Sequence, residues 1–149
     1  MIASNYKPSS EVNKLKSLDI HQEFFLSDDL YEIIKTAFEV SNNTSGIYDI
    51  TIGSVVNNLG FGPNLFIDKE YVFEPYILKL SLNDENKSIT KLKDTTIDLS
   101  SIAKGYAVDA VSNYLLSKNF NNYLVDIGGE IAANGLSLIH ISEPTRPDE

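Results

Sequence analysis

The sequence predicts an α+β fold in which a mixed or antiparallel sheet packs with helices. An amphipathic helix is expected over residues 27–40, where Ser27 or Asp28 can cap the first turn and apolar residues recur at helical spacing. Residues 77–92 fit two short strands joined by a polar turn. A second helix is expected over residues 101–118, followed by a strand, a Gly-Gly turn and a strand over residues 121–135.

The other segments give weaker patterns. Residues 9–15 (SSEVNKL) fit one or two helical turns, and TTIDL (95–99) fits a short strand. Residues 46–64 are neither a periodic helix nor a regular strand, and Gly60 to Pro63 must form a loop. The helix over residues 101–118 is expected to bury a stripe of small and apolar residues: Ala103, Tyr106, Ala107, Ala110, Val111, Tyr114 and Leu115.

Composition bounds the class of protein. A chain of 149 residues can bury a core of its own, and 22% charged residues is an ordinary globular content. The net charge of -9 argues against nucleic acid or an anionic membrane as the main partner, because both require clustered Lys and Arg. The chain contains no cysteine, so disulfides and thiolate sites are impossible.

Residues 98–105 (DLSSIAKG) place an anion, two hydroxyls and a cation at the start of a helix. Backbone amides at such a start can hold a phosphate, Lys104 can reach the same space, and the oxygens of Ser100 and Ser101 suit magnesium. Asp98 could accept hydrogen bonds from a ribose or a base. The alternative is that Asp98 or Ser101 only caps the helix and that Lys104 is surface charge, and the pattern alone favours this alternative.

Asp49 raises a similar choice. It stands among apolar residues in a segment bounded by glycines, GIYDITIG (46–53), so it is either a turn residue or an acceptor placed for a ligand. Asp126, before Gly128 and Gly129, is most simply a turn residue. Asp49 and Asp98 are both expected at segment ends, so their replacement by alanine should leave the fold cooperative.

Three stretches together resemble the FAD:protein FMN transferases, the ApbE family. GIYDITIGSVVNNLGFGP is similar to the family's "G-a-F-D-x-T-v-G-P-L-v-N-l-W-G-F-G-P". IDLSSIAKGYAVD is similar to "x-D-L-g-g-I-A-K-G-Y-A-v-D", and the hairpin after it to "l-V-n-a-G-G-d-i-r-a-x-G". ASNYKPSSEVNKL is similar to "m-S-x-Y-x-p-d-S-E-i-s-x-l-N". The sequence departs from the family at Ser54 and Asn58, where the family has Pro and Trp.

The resemblance implies an ApbE-like (T-fold-like) architecture and magnesium-dependent transfer of FMN from FAD to a Thr or Ser hydroxyl of an acceptor protein, with release of AMP. Alternatives are a protein that binds or hydrolyses FAD without an acceptor, or an inactive fragment. By the resemblance, FAD contacts fall on Tyr6, Ile47, Tyr48, Asp49, Asp98 and Lys104. A magnesium ligand falls on Ser101, through its main-chain oxygen. Partners are thus FAD and the acceptor protein, and no catalytic residue is assigned.

The resemblance also bears on the ends of the chain. Residues 1–135 are expected to be a partial ApbE-like domain, truncated at both ends, since the family's later motifs "H-I-i-D-P-x-T-G" and "A-D-a-x-a-T" do not follow. Residues 136–149 resemble a string found in frames translated from sequencing-adapter DNA and are expected to be an artefactual tail. The 149-residue chain is therefore expected to be inactive alone. The intact protein is expected to be an extracytoplasmic lipoprotein, with its lipid anchor absent from this chain.

Overall fold

The computed structural model describes residues 7–61 and 76–135, and the chain divides into two compact units, Met1–Ala103 and Lys104–Glu149. The first unit contains α1 (Glu11–Lys16), β1 (Glu23–Phe25), α2 (Asp28–Asn43), α3 (Gly53–Asn58), a 3-10 helix (Tyr76–Leu78), β2 (Leu80–Asn83) and β3 (Ser88–Lys91). Helix α4 (Ala103–Ser117) starts at the boundary between the units, and β4 (Tyr123–Ile127) and β5 (Glu130–Asn134) follow in the second unit. The predicted combination of helices and antiparallel strands is confirmed.

A three-stranded antiparallel sheet with the order β1-β3-β2 forms one face of the first unit. The predicted hairpin is present as β2 and β3, with Leu82 opposite Ile89. On the other side of β3, Phe24 of β1 lies opposite the same Ile89, which is fully buried. Strand β1 has only three residues, and its alternation is too short to stand out in a sequence of mixed character.

Helix α2 contributes five buried apolar residues to the first unit, Leu30, Tyr31, Ile33, Ile34 and Ala37. The Ser27 hydroxyl accepts a hydrogen bond from the Leu30 amide, so Ser27 is the N-cap, as predicted. Apolar residues three and four apart then face inward. The core they form with the sheet and with α1 includes Val12, Leu15, Leu30, Ile33, Ile34, Ala37, Leu80 and Ile89.

The segments around residues 50–53 and 96–99 are joined by backbone contacts. The Asp98 amide donates to the Ile50 carbonyl oxygen at 2.8 Å, and the Gly53 amide donates to the Thr96 carbonyl oxygen at 2.9 Å. Ile52 and Thr96 form one isolated parallel bridge. The expected strand over residues 95–99 is therefore wrong as a regular strand, because the chain after Ile52 turns directly into helix α3 and ends the pairing.

The second unit contains α4 and the β4–β5 hairpin, in which Val125 lies opposite Ala132. Gly128 and Gly129 both have positive φ angles, as the predicted tight turn requires. The expected buried stripe of α4 is wrong, because none of its seven residues is buried and three of them, Ala110, Val111 and Tyr114, are exposed. Val108 and Ser112 are the buried residues of this helix, whereas Val111 is 41% and Tyr114 is 62% exposed. Helical spacing predicts one apolar face, but burial depends on which neighbours are available, and the described part of this unit has only two strands.

No helix in residues 7–61 and 76–135 combines the length and the apolar character needed to cross a membrane.

Candidate functional site

Two turns of the first unit bring together most of the residues that the sequence singled out. Tyr48 and Asp49 follow α2, and Asp98 and Ser101 precede α4. The hydrogen bond from the Asp98 amide to the Ile50 carbonyl oxygen joins the two turns. Residues about fifty positions apart in sequence therefore occupy one region of the molecule.

Tyr48 and Ser101 meet through their side chains. The Tyr48 hydroxyl and the Ser101 hydroxyl are 3.0 Å apart, within hydrogen-bond distance. The Tyr48 amide donates to Thr44 Oγ1 at 3.1 Å, which fixes the chain where it leaves α2. Ile47 beside it is 88% exposed, so an apolar side chain stands open to solvent at the edge of this region.

Asp49 is held through one carboxylate oxygen only. Its Oδ1 accepts hydrogen bonds from the Thr51 amide and from Thr51 Oγ1, both at 2.7 Å. Asp49 is 6% exposed, and its Oδ2 is buried with no hydrogen-bond partner among the described residues. A buried carboxylate oxygen without a donor is costly, so this atom is an unsatisfied hydrogen-bond acceptor.

Lys79 is a residue of this region that the sequence did not single out. Its ammonium group donates to Thr51 Oγ1 at 3.1 Å, and the residue is 6% exposed. The available signal was a lysine between apolar residues, Leu78 and Leu80, where a surface lysine is not expected.

Asp98 adopts the same local turn as Asp49, with Oδ1 accepting from the Ser100 amide at 2.7 Å. It is only half-buried. Burial lowers the pKa of nearby Lys16, and the Asp98 charge partly opposes this decrease. Burial also raises the pKa of Tyr76, the hydrogen bond to Asn42 opposes this increase, and the Asp49 charge adds to it.

The turn before α4 already uses several of its amides. The amides of Ile102 and Ala103 donate to the Leu99 carbonyl oxygen at 3.1 and 2.9 Å, and the Ser100 amide donates to Asp98. These contacts are those of a capped turn, so the simpler interpretation of residues 98–103 accounts for the local geometry without a ligand.

Lys104 belongs to the second unit, where its ammonium group lies 3.1 Å from Glu130 Oε2 and 3.4 Å from the Gly128 carbonyl oxygen. The side chains of Lys104 and Glu130 are 49% and 41% exposed. A pair this exposed contributes little to stability, since water screens the attraction. Lys104 is thus a partly exposed cation beside the Gly-Gly turn.

Two predicted parts of the site, Tyr6 and a complete set of magnesium ligands, are not supplied by the described residues. Tyr6 lies outside the described residues. Within residues 7–61 and 76–135, no three His, Asp or Glu side chains lie together so that they could hold a metal ion. Magnesium prefers near-octahedral oxygen coordination with one or two carboxylates. The described residues around Ser101 therefore do not by themselves complete a magnesium site.

Comparison with known proteins identifies the family. A family model described as the ApbE family matches residues 1–147. The FAD:protein FMN transferases of Haemophilus influenzae and Vibrio cholerae are each 34% identical to this chain, and the matches cover 98% and 90% of it. They cover 47% and 42% of those relatives, so the chain spans about half the length of the curated relatives it matches.

Solved structures agree in fold. The flavin transferase ApbE from Vibrio cholerae matches 91% of this chain and 46% of its own, with a TM-score of 0.80 at 33% identity. The apo flavinyl transferase ApbE of Pseudomonas stutzeri matches 90% of this chain and 47% of its own, with a TM-score of 0.77 at 26% identity. The sequence match over nearly the whole chain and the shared fold lead to one conclusion: this chain belongs to the ApbE family.

Proposed function

We propose that the protein transfers FMN from FAD to a Thr or Ser hydroxyl of an acceptor protein. The acceptor oxygen forms a bond to the phosphorus of the FMN moiety, the bond from that phosphorus to the bridging oxygen breaks, and AMP leaves with the bridging oxygen while the hydroxyl proton is released. Support comes from the relatives named FAD:protein FMN transferase. The observation that carries the proposal is the buried Asp49 Oδ2, an acceptor without a hydrogen-bond partner in a motif that resembles the family's FAD contact.

We propose distinct tasks for the side chains of this region. Asp49 Oδ2 accepts a hydrogen bond from the nucleotide, and Asp98 accepts a second one. Ile47, with its exposed apolar side chain, contacts the flavin ring, and Tyr48 lies between Ile47 and Asp49 with its hydroxyl held at Ser101. Lys104, in the second unit, is proposed as a further FAD contact on the basis of the resemblance alone. Holding the nucleotide at several fixed points lowers the entropy cost of placing its phosphorus against an acceptor hydroxyl.

We also propose a requirement for magnesium, on the basis of the resemblance. A bound magnesium ion would neutralise charge on the pyrophosphate. Of the implied ligands, the described residues include only the Ser101 main-chain oxygen, and no step is assigned through the ion.

The test is flavinylation of an acceptor domain. The 149-residue chain and the product of the complete reading frame are each incubated with FAD, magnesium and an acceptor domain that carries a Thr at its flavinylation position. Covalent flavin is read as fluorescence on a denaturing gel, and AMP by chromatography. We expect the complete product to label the acceptor with one AMP per flavin, and the 149-residue chain to give no band.

Matched variants test whether Asp49 binds the nucleotide or only stabilises the turn in which it lies. Asp49→Asn removes the open acceptor oxygen and should reduce labelling. Asp126→Asn is the control, because Asp126 also accepts a backbone hydrogen bond in a turn, from the Gly129 amide at 2.9 Å, and has no assigned ligand. Free FMN and AMP without a labelled acceptor would support FAD hydrolysis instead. No turnover and no FAD binding by the complete product would overturn the proposal.

A further inference from the structure

We propose that Lys79 is a positioning residue for the nucleotide site, acting on Asp49 through Thr51. The Asp49 network, defined as Asp49, Thr51 and Lys79, is a continuous series of hydrogen bonds: Lys79 Nζ to Thr51 Oγ1 at 3.1 Å, and Thr51 Oγ1 to Asp49 Oδ1 at 2.7 Å. This inference rests on the proposed function, because it concerns how the site presents Asp49 to FAD.

The direction of these hydrogen bonds follows from the chemistry of the groups. An ammonium group has three donors and no acceptor, whereas a threonine hydroxyl has one donor. Thr51 Oγ1 must therefore accept from Lys79, and its single proton is then directed at Asp49 Oδ1. Without Lys79 the hydroxyl could rotate away from the carboxylate.

The consequence for Asp49 is an asymmetric carboxylate. Its Oδ1 receives two donors, the amide and the hydroxyl of Thr51, while Oδ2 receives none among the described residues. Two hydrogen bonds to one oxygen fix the rotation of the carboxylate group, so the position of Oδ2 is fixed as well. An acceptor held in place before binding costs less entropy when the ligand arrives.

Burial makes a purely structural role a poor explanation. Asp49 and Lys79 are each 6% exposed. The two charged groups are linked through Thr51 Oγ1. Burying a charged group costs free energy that an apolar residue would not cost, so this burial is weak evidence for a stability role and can instead hold a specific arrangement. The arrangement held here is the one that leaves an acceptor oxygen free.

A second buried lysine provides the comparison. Lys91 is also 6% exposed, but its ammonium group donates to the Lys16 and Leu18 carbonyl oxygens and lies 3.3 Å from Asp94. Lys91 therefore fixes the chain after α1, and no described contact links it to Asp49. The two lysines have equal burial and different partners, so Lys91 is a matched control.

The chemistry of Asp49 Oδ2 determines which ligand groups it can bind. Carboxylate Oδ2 accepts and does not donate, so it selects an N–H or O–H group. FAD offers ribose and ribityl hydroxyls, the adenine amino group and the flavin ring N–H. The probe that separates the two halves of FAD is ADP, which keeps the ribose and adenine and lacks the flavin.

The experiment measures FAD and ADP binding by titration calorimetry on the product of the complete reading frame and on four variants of it. Lys79→Met and Thr51→Val should each weaken FAD binding about tenfold, the effect of losing one well-placed hydrogen bond to a charged group. Thr51→Ser keeps the hydroxyl and should bind as the wild type does, and so should Lys91→Met. Thr51→Val changes no charge, so it remains informative if Lys79→Met unfolds.

A double-mutant cycle tests whether Lys79 acts through Asp49. In the Asp49→Asn background, Lys79→Met should have no further effect on FAD affinity, and in urea unfolding the double variant should lose less stability than the sum of the single variants. Equal FAD affinity of the wild type, Lys79→Met and Thr51→Val overturns the inference and leaves the proposed function standing. A complete product that binds neither FAD nor ADP, with coupling still present in unfolding, overturns the proposed function and leaves the Asp49 network standing.

Discussion

Two turns of the first unit hold an aspartate in the same way and bury it to different depths. In each, the Oδ1 atom accepts a hydrogen bond from the amide two residues later at 2.7 Å, from Thr51 to Asp49 and from Ser100 to Asp98. Asp49 is almost fully buried and reaches the buried Lys79 through Thr51. Asp98 is half-buried, and the cation that its charge influences, Lys16, is itself only partly buried.

The comparison shows that local chemistry determines whether the turn forms, whereas the tertiary environment determines how much its hydrogen bond contributes to stability. An Asp followed by a Ser or Thr two residues later can form this turn anywhere, because the bond is local. The two turns differ in the free-energy cost of breaking the hydrogen bond to the Asp side chain. A buried group must keep its partners, whereas a half-exposed group can exchange them for water.

Asp49→Ala should cause the largest loss of stability, about 2–5 kcal/mol, because it leaves two buried donors, the amide and the hydroxyl of Thr51, without their acceptor. The prediction from sequence is that this variant keeps a cooperative fold, and the 6% exposure of Asp49 adds a stability cost to that prediction. Urea denaturation followed by circular dichroism measures the loss. A change below 1 kcal/mol would show that the Asp49 network adds nothing to the fold.

Gly53→Ala breaks the link between the two turns. A Cβ atom on Gly53 would lie 2.6 Å from the Thr96 carbonyl oxygen, which is backbone and accepts the Gly53 amide. The segments must move apart, at a cost of about 1–3 kcal/mol. The control is Gly105→Ala within α4, where the added methyl group meets nothing within 4 Å. That change should stabilise by up to about 1 kcal/mol, since glycine is unfavourable inside a helix. Equal thermal midpoints for both variants would contradict the steric argument.

Asp98→Ala should cost less than Asp49→Ala, with about 1 kcal/mol from the accessible hydrogen bond that the Ser100 amide donates to it. The measurement is the same urea titration, run beside Asp49→Ala. A loss as large as that of Asp49→Ala would mean that depth of burial does not distinguish the two turns.

Asp98→Asn should give the smallest effect, a further decrease in the pKa of Lys16. The amide keeps the Oδ1 acceptor and removes the charge that now raises this pKa against the effect of burial. Because the folded pKa is below the unfolded one, the unfolded chain binds more protons between the two values, and stability rises with pH across that interval. By lowering the folded pKa of Lys16 further, Asp98→Asn should extend this pH interval to lower pH. An NMR titration of the Lys16 side chain measures the shift, and an unchanged pKa would show that Asp98 does not act on Lys16.

Part of this protein follows from sequence alone. Helix α2 could be predicted with its Ser27 cap, because capping and helical spacing are properties of neighbouring residues. The same holds for the β2–β3 hairpin, the β4–β5 hairpin with its glycine turn, and the extent of α4. The motifs around Asp49 and Asp98 could be found as well, and the family assignment they suggested is confirmed.

Tertiary structure decided the rest. It paired the three residues of β1 with β3, reduced the expected strand over residues 95–99 to a single bridge, and left Val111 and Tyr114 of α4 exposed. It also buried Lys79 beside Thr51 and left Asp49 with one hydrogen-bonded oxygen and one oxygen that has no partner among the described residues. Periodicity and capping are set by residues up to about four positions apart. Burial and the partner of a charge depend on residues that only the folded chain brings together, in this case 28 positions apart for Lys79 and Thr51.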